Sequence, residues 1–394
     1  MTNNKKPRVA WLLTHRIQYF VNLLDELQQR DNVEVLAVYA HETQSFRDRG
    51  FGLNINWDNR EKTGFAEKLL PDSAQRTYGP FLNSRSRELG KVLDGFQPDF
   101  IYLNGYTHAI SIQGWRWADR HNVPFAIRCD GDTLTEKVAW KSAIRRKLVS
   151  VMTGDAYRVT HQGRENKKFW QENGARSEQL IWTPCVSDSE VFRVKAFENE
   201  AEKQKFRQAH EAGENEVVFV VSGKLIPRKR PADAIKAIAS YRDLPLRLWI
   251  LGSGELEAEL KALATQLQVA DRIYWWGFRN QSEIPKILQA ADVLLHPSQA
   301  DPWPYSILDG AISGLALLLS DKTGSYPDWM ADPPAGKAFA CGDIDDLSRC
   351  LQEMVRDRDQ LQAYQNAAQT RSHEYTESNF CQIFEDMVFS VVSF

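Results

Sequence analysis

The sequence predicts an α/β protein built from two doubly wound, Rossmann-like domains. Short apolar runs alternate with helix-period segments along almost all of its 394 residues, a pattern typical of parallel sheets covered by helices on both faces. The chain is also too long for one ordinary core. A highly charged stretch interrupts the alternation at 196–216. We therefore predict an N-terminal domain over 1–195, a charged linker over 196–216, a C-terminal domain over 217–375 and a final helix over 376–394.

The predicted strands are apolar runs bounded by turn residues or charges. In the N-terminal domain they lie at 9–13, 33–38, 99–103, 124–128, 156–160 and 179–182. In the C-terminal domain they lie at 217–222, 246–251, 272–276, 293–296 and 316–320. Predicted helices between the first strands occupy 17–27, 86–93 and 110–119. The final helix carries apolar residues on one face, and we expect it to pack back on the N-terminal domain.

Composition excludes several classes of protein. The net charge of −3 gives no electrostatic reason to expect a nucleic-acid partner. Five scattered cysteines contain no C-x-x-C pair, so we expect neither a disulfide framework nor a zinc site, and a reducing cytoplasm is the simplest location. No run of eighteen apolar residues is present, and we therefore predict no transmembrane segment.

The first candidate site is the loop after the strand at 217–222. It reads Gly223-Lys224-Leu225-Ile226-Pro227-Arg228-Lys229-Arg230-Pro231. Glycine lets a ligand approach the backbone closely, and ammonium groups before a helix attract phosphate oxygens. The loop is not a P-loop, because G-x-x-x-x-G-K-[ST] is absent. A solvated basic turn, with Pro231 in the first position of a helix, is the alternative interpretation.

The second candidate site follows the strand at 293–296. Pro302 and Pro304 favour an extended loop, and a helix is predicted to begin near Tyr305 or Ser306. Free backbone N–H groups at the start of such a helix can bind an anion. A capping box, S-x-x-D, formed by Ser306 and Asp309 would instead occupy those groups without any ligand. Both interpretations fit the sequence.

A dinucleotide site has little support. The sequence Gly252-Ser253-Gly254 lacks the third glycine of G-x-G-x-x-G, and the first strand of the chain lacks the fingerprint as well. Nicotinamide chemistry is therefore not expected.

Together these stretches resemble the family-4 retaining glycosyltransferases, whose GT-B fold has two Rossmann-like domains facing across a cleft. The similarity runs through nearly all of 217–325 and more faintly through the N-terminal domain. The loop Gly223-Lys224-Leu225 with Lys229 is similar to the family's G-R-L-x-x-x-K loop, with Lys224 in place of arginine. Ala290-Ala291-Asp292-Val293 and His296-Pro297-Ser298 are similar to its A-A-D-V…P-S run.

The resemblance implies a donor site in the C-terminal domain. The family's E-x7-E signature falls on Asp301 and Asp309, which would bind hydroxyls of the donor sugar and the ribose, respectively. Pro304 stands where the family usually has glycine, so one backbone donor is missing. The segment 271–278 is similar to the strand and loop beside the nucleotide base. The donor-binding residues implied in this way are Gly223, Lys224, Lys229, Gly277, Phe278, Asp301, Tyr305, Ser306, Ile307 and Asp309.

The N-terminal half is similar to one branch of this family at 15–20, at 50–52 with 57–58, and at 128–132. A histidine that the family often carries after the fourth strand, near the reacting sugar, is replaced here by Asn104. His108 and His15 are candidates to supply the lost group, although a lone histidine is more often structural or solvent-facing. The candidate catalytic residues of this half are Asn104 and His108, and the candidate acceptor-side residues are His15, Arg16 and Asp130.

The implied reaction transfers a sugar from a nucleotide diphosphate sugar to an acceptor, with retention and without a metal or other cofactor. Lys224, Lys229 and the helix start near Ser306 would stabilise negative charge on the departing diphosphate, and Asp301 would orient the sugar. The acceptor is expected to be a carbohydrate, a lipid-linked molecule or a small molecule. We also expect closure of the two domains to exclude water.

Two other functions fit the same residues. One is a nucleotide-sugar epimerase or a phosphorylase on the same two-domain plan. The other is a nucleotide-sugar-binding pseudoenzyme, since Asp301, Asp309, Pro304 and Asn104 all depart from the family pattern. The basic segment 140–148 fits either a peripheral contact with the inner face of an anionic membrane or a solvated helix face.

Overall fold

The computed structural model describes residues 6–42, 46–48, 53–55, 64–76, 80–134 and 139–392, with the backbone alone at 18, 46–48, 53–55 and 139–145. The chain divides into two compact units. The first comprises 1–44, 59–186 and 376–394, and the second comprises 45–58 and 187–375.

The strands form two parallel sheets and one short antiparallel pair. In chain order they are β1 (Arg8–Leu13), β2 (Glu34–Tyr39), β3 (Phe46–Asp48), β4 (Leu53–Ile55), β5 (Ala66–Leu69), β6 (Phe100–Asn104), β7 (Phe125–Arg128), β8 (Arg158–His161), β9 (Leu180–Trp182), β10 (Val217–Ser222), β11 (Leu246–Leu251), β12 (Ile273–Gly277), β13 (Val293–His296), β14 (Ala316–Ser320) and β15 (Gly336–Phe339).

The α-helices lie mostly between consecutive strands. In chain order they are α1 (Gln18–Arg30), α2 (Leu89–Phe96), α3 (Ala109–His121), α4 (Ala139–Asp155), α5 (Arg164–Glu172), α6 (Ser189–Arg193), α7 (Glu200–Ala209), α8 (Pro231–Ala239), α9 (Glu257–Gln266), α10 (Ile284–Ala290), α11 (Tyr305–Ile312), α12 (Tyr326–Trp329), α13 (Ile344–Arg356), α14 (Arg358–Ser372) and α15 (Glu377–Phe389). None of these described helices is both long and apolar enough to cross a bilayer.

The sheet of the first unit has seven strands in the order β5-β2-β1-β6-β7-β8-β9. Its central strand β1 is apolar from Val9 to Leu13 and fully buried there, as expected for a parallel strand covered on both faces. Helices α2 to α5 contribute apolar side chains to the core on one face, and α1 and α15 do so on the other. The strand order reverses direction between β1 and β6.

Helix α15 closes the core of the first unit, as the amphipathic pattern predicts. Its first turn is capped by Thr376, whose hydroxyl accepts from the backbone N–H of Asn379 at 3.2 Å. Phe384 stacks on Trp11 with ring centroids 5.5 Å apart. Arg30 of α1 makes two hydrogen bonds, of 3.0 and 2.9 Å, to the carboxylate of Glu385, which compensates the burial of that charge.

The sheet of the second unit has six strands in the order β12-β11-β10-β13-β14-β15. The order reverses between β10 and β13, which pair in parallel with Phe219 opposite Val293. In open α/β sheets, ligands bind beyond the carboxyl ends of the strands at such a reversal. The predicted fold class, two doubly wound α/β domains with the final helix packed on the first, is confirmed. The edge strands β5 and β15 were not predicted, because each is short and lacks an apolar run.

The prediction of a charged linker over 196–216 is wrong. This stretch contains α7, whose N-cap Asn199 accepts from the backbone N–H of Glu202 at 2.9 Å. Arg207 of α7 is buried and bonds both carboxylate oxygens of Asp292, at 3.2 and 3.1 Å. The charged residues of this stretch therefore form a helix that packs on the second unit. The division between the two units falls at 186/187.

Candidate functional site

The strand reversal of the second sheet brings the two predicted loops together. β10 ends at Ser222 and leads into the basic loop at 223–230, while β13 ends at His296 and leads into the loop at 297–304. The backbone N–H of Gln299 donates to the carbonyl of Arg228 at 3.0 Å, and the guanidinium of Arg228 donates to the carbonyl of Ala300. These bonds hold the loops in one arrangement.

Lys229 and Asp301 form an ion pair between these loops. Their side chains are only 18% and 12% exposed, so the pair lies largely out of water. The Nε2 atom of His296 lies 3.4 Å from Oδ2 of Asp301. Burial acts to raise the pKa of Asp301, but His296 and Lys229 outweigh it and hold that pKa well below its usual range. Asp301 is therefore a carboxylate at neutral pH and accepts hydrogen bonds only.

Burial lowers the pKa of the Lys229 ammonium, and Asp301 opposes that change. Burial likewise lowers the pKa of His296, so the imidazole is neutral at pH 7. His296 was quoted in the sequence resemblance but not predicted as a site residue. The signal that could have found it is its position at the carboxyl end of a buried strand, five residues before Asp301.

The loop that carries Asp301 is also tied to the turn after β14. Asp301 forms an isolated parallel bridge with Thr323, and the backbone N–H of Gly324 donates to the carbonyl of Asp301 at 2.8 Å. A Cβ on Gly324 would lie 2.2 Å from the carbonyl oxygen of Pro302, so only glycine allows this close approach. The position of Asp301 is thus determined by backbone contacts on both sides of its loop.

Helix α11 begins at Tyr305, as predicted, with Pro304 as its N-cap. No side chain in the described part of the chain caps this terminus, and the capping-box interpretation of Ser306 and Asp309 is therefore wrong. Extended Pro304 starts the helix two residues earlier than a Ser306 cap requires, which puts Ser306 inside the first turn. The N–H groups of that turn and the positive end of the helix dipole are suited to an anion.

Asp309 lies in the second turn of α11 and is buried. Burial raises its pKa to about 7, with a further increase from Asp188 and an opposing effect from the Ser187 hydroxyl. Its Oδ1 atom has no hydrogen-bond partner among the described residues. A buried, unpartnered carboxyl oxygen is costly, and a hydroxyl group of a ligand would satisfy it.

The glycines of the site permit close backbone packing at the ends of β10, β11 and β12. Gly223 has a φ of 145° and donates to the carbonyl of Leu251 at 2.9 Å. A Cβ on Gly252 would lie 1.9 Å from the Gly223 carbonyl oxygen. The N–H of Gly252 donates to the carbonyl of Gly277 at 2.9 Å, so Gly252 contacts both of the predicted glycines, Gly223 and Gly277. The predicted residues Lys224 and Phe278 directly follow Gly223 and Gly277, respectively.

The candidates of the first unit gather at the reversal of its own sheet. Asn104 is the last residue of β6 and His108 precedes α3, while His15 lies two residues after β1. Burial, with smaller effects from His41 and His108, lowers the pKa of His15 to about 4. Burial also lowers the pKa of His108. Both imidazoles are therefore neutral at pH 7 and can exchange hydrogen bonds with uncharged hydroxyls.

Arg16 and Asp130 lie at the same carboxyl edge of the first sheet. Arg16 lines a pocket of about 440 Å³ together with Tyr39, His41 and Glu67, three residues that the sequence did not single out. Asp130 has a largely exposed side chain and accepts from Nε2 of Gln162 at 2.5 Å. The quoted resemblance at 50–52 and 57–58 lies outside the described residues.

The two doubly wound sheets, each with polar loops at its strand reversal, define a GT-B protein. A solved structure supports this class: Alr3699/HepE of Anabaena, in complex with UDP, has a TM-score of 0.74 and 16% identity, and the match covers 98% of this chain and 100% of that one. Residues 202–371 match the family Glycosyl transferases group 1. The predicted resemblance is confirmed at this level.

Two curated relatives act on lipid-linked diphosphates according to their names. The UDP-Gal:alpha-D-GlcNAc-diphosphoundecaprenol alpha-1,3-galactosyltransferase of Escherichia coli is 30% identical over 158 residues, which are 36% of this chain and 40% of that enzyme. The N-acetylgalactosamine-N,N'-diacetylbacillosaminyl-diphospho-undecaprenol 4-alpha-N-acetylgalactosaminyltransferase of Campylobacter jejuni is 21% identical over 75% of this chain and 77% of that one. The chain thus matches less than half the length of the first of these relatives.

Proposed function

We propose that this chain transfers a sugar from a nucleoside diphosphate sugar to a lipid-linked saccharide acceptor, with retention at the anomeric carbon and without a metal. The observation that carries this proposal is the buried Lys229–Asp301 pair at the strand reversal of the second sheet, within the segment that matches a glycosyltransferase family. The lipid-linked acceptor is supported by the names of two relatives.

The basic loop and the start of α11 would bind the diphosphate of the donor. When the sugar leaves, negative charge accumulates on the outer phosphate oxygens. The ammonium groups of Lys224 and Lys229 and the first-turn N–H groups of α11, from Tyr305 to Ile307, would stabilise that charge. Since cations from the protein can supply this stabilisation, we propose that no divalent metal is needed.

The two aspartates would orient the two ends of the donor. Asp301 is an obligate acceptor, because its pKa is held low, and would accept from hydroxyl groups of the sugar. Asp309 is protonated in part at pH 7, because its pKa is raised to about 7, and would exchange hydrogen bonds with the ribose hydroxyls. Gly277 and Phe278 would lie beside the base.

The acceptor would bind at the carboxyl edge of the first sheet. Neutral His15 and His108, with Asn104, offer hydrogen bonds to sugar hydroxyls, and Arg16 and Asp130 would contact the rest of the acceptor. Retention would follow from departure of the diphosphate and attack of the acceptor on the same face of the sugar, a route that needs no covalent enzyme nucleophile. A cytoplasmic location with peripheral membrane contact is part of this proposal.

Product analysis tests this proposal. The protein is incubated in EDTA with UDP-hexoses and with diphosphoundecaprenol-linked N-acetylglucosamine, and the anomeric configuration of the product is determined by NMR. We expect a lipid-linked product with the configuration of the donor. The Lys229→Ala variant should lose transfer by about 100-fold or more, while Lys261→Ala, which changes an exposed lysine of the same unit, should retain it.

Other outcomes would contradict specific parts of the proposal. Conversion of the donor without an acceptor would indicate an epimerase. Tight UDP binding without transfer to any acceptor would indicate a binding protein. An inverted product, or transfer that returns only on addition of Mg²⁺ or Mn²⁺, would contradict retention or metal independence.

A further inference from the structure

An open groove of about 590 Å³ lies on the helical layer of the first unit and runs along α3 from Ala109, the residue after His108, to Arg120. One wall is the 3-10 turn Phe81–Ser84 with the residues that follow it, and the other is the outer face of α3. We call this feature the arginine groove. Its lining includes the apolar side chains of Phe81 and Leu82 and the arginines Arg85, Arg87, Arg116 and Arg120.

Two large apolar side chains are exposed side by side at the rim of this groove. Leu82 is 63% exposed and Phe81 is 43% exposed. Neither side chain contributes to the hydrophobic core of the first unit. The connection between the neighbouring elements therefore does not require apolar residues at these two positions. Adjacent exposed apolar residues on a positively charged rim are typical of surfaces that enter a membrane interface.

Four arginines surround these apolar residues, and all four are exposed. Arg116 and Arg120 are four residues apart on α3 and so share one face of that helix. Within the described part of the chain, the guanidinium groups of Arg85, Arg87, Arg116 and Arg120 form no ion pair and no hydrogen bond. Their charges are therefore available to an external partner.

Three of the acidic residues near the groove are already engaged, and a fourth, Asp119, is exposed on α3. Asp72 accepts from the hydroxyl of Ser86 at 2.5 Å and from the backbone N–H of Arg87 at 2.8 Å. Glu88 pairs with Lys91 at 3.0 Å. Asp94 accepts from the indole N–H of Trp117 at 2.8 Å. The rim thus keeps a positive charge that its own carboxylates do not neutralise.

We propose that the arginine groove lies against an anionic lipid bilayer. Leu82 and Phe81 would enter the boundary between headgroups and acyl chains, and the four arginines would bind headgroup phosphates. A soluble anion would satisfy the arginines but would leave the apolar pair in water, and an apolar protein partner would bury unpaired charges. This inference rests on the proposed function, because a lipid-linked acceptor must be reached at a membrane surface.

The surface differs from the one that the sequence predicted. The basic segment 140–148 lies in α4, and the side chains of residues 140–145 lie outside the described part of the structure. Helices α3 and α4 both cover the same face of the sheet, so a contact at the arginine groove does not exclude a contribution from α4. In the described part of the first unit, the groove combines two adjacent exposed apolar residues with four unpaired arginines.

Vesicle sedimentation tests the proposal with the full chain. Wild type, Arg116→Glu/Arg120→Glu and Leu82→Asn are mixed with vesicles of phosphatidylcholine alone or of phosphatidylcholine and phosphatidylglycerol. Lys167→Glu/Lys168→Glu is the matched control, with the same charge change on exposed residues of α5. Circular dichroism of each variant establishes that it is folded.

We expect wild type and the α5 control to sediment with the anionic vesicles and not with phosphatidylcholine alone. The affinity of the double arginine variant for the anionic vesicles should be lower by about tenfold or more, and that of Leu82→Asn should be lower several-fold. The proposal is overturned if wild type stays in solution, if the double arginine variant sediments like wild type, or if Leu82→Asn has no effect, which would indicate a diffuse charge attraction.

A parallel assay separates this inference from the proposed function. UDP binding and sugar transfer to a short-chain, water-soluble acceptor analogue do not require a bilayer. The double arginine variant should keep both at the wild-type level. Loss of vesicle binding with intact transfer supports the membrane surface, whereas vesicle binding by a wild type that transfers no sugar would contradict the glycosyltransferase proposal alone.

Discussion

Lys229 and Asp301 are separated by 72 positions in the sequence, yet their side chains form a largely buried ion pair. Each charge would be expensive to bury alone, and the pair makes burial tolerable without making it strongly stabilising. A polyanionic donor would alter this balance, because it would compete with Asp301 for Lys229. The pair therefore holds the lysine in the position from which it would meet a diphosphate.

Asp309 makes stability depend on pH. Its pKa is about 7 in the folded chain and 3.8 as a reference for the unfolded chain, so the folded state binds the proton more tightly. The free energy of unfolding should then fall as pH rises from about 4 to about 7 and level off above that. Asp309→Asn removes this loss of stability. Above pH 7 the free energy of unfolding of the variant should therefore exceed that of wild type by an amount on the order of 2–4 kcal/mol.

Urea unfolding at several pH values measures this effect. At pH 4 the two proteins should differ little, because Asp309 is protonated in the folded chain. Asp243→Asn, at an exposed aspartate of the same unit, serves as the control for the loss of one carboxyl group and should not reproduce the gain in stability above pH 7. If the difference in free energy of unfolding between Asp309→Asn and wild type is the same at every pH from 4 to 8, the buried carboxyl of Asp309 does not titrate as described.

At the scale of elements, α15 is the final helix of the described chain and part of the first core. Phe384 is fully buried and contacts both Trp11 and Tyr102, with centroids 5.5 and 5.2 Å away. Phe384→Ala should lower the free energy of unfolding by about 3–5 kcal/mol because of the cavity it leaves. Phe389→Ala in the same helix, at a residue 45% exposed, should cost less than about 1 kcal/mol.

Denaturant unfolding monitored by tryptophan fluorescence checks this pair of variants, since Trp11 lies in the affected core. Similar losses in both variants would show that α15 does not pack as described. An unchanged free energy of unfolding in Phe384→Ala would show directly that Phe384 does not fill the core of the first unit.

Local sequence patterns predicted the elements wherever a local physical rule decides them. The apolar strands and the amphipathic α15 followed from burial on one or two faces. The linker prediction failed because charge density at 196–216 was taken as a sign of exposure, although Asn199 and Glu202 are spaced as a helix cap. Likewise, Ser306 and Asp309 matched a capping box, but the extended backbone of Pro304 determined the helix start.

At the scale of the molecule, sheet order decides which loops meet. The sequence predicted the loops at 223–231 and 297–310 separately, and the resemblance joined them. The reversal between β10 and β13 gives the physical reason for their proximity, which no local pattern contains. Tertiary contacts of the same kind, such as Lys229 with Asp301 or Arg16 with Glu67, could not be predicted from spacing.

The central claim is that the strand reversal of the second unit binds the diphosphate of a nucleotide sugar through Lys229. Isothermal titration of UDP into wild type, Lys229→Ala and Lys261→Ala in the presence of EDTA tests it most directly. We predict that wild type and Lys261→Ala bind UDP with equal affinity and that Lys229→Ala binds about 10- to 100-fold more weakly, the cost of one hydrogen bond to a charged group. Equal affinities in all three proteins, or no UDP binding by wild type, would contradict the claim.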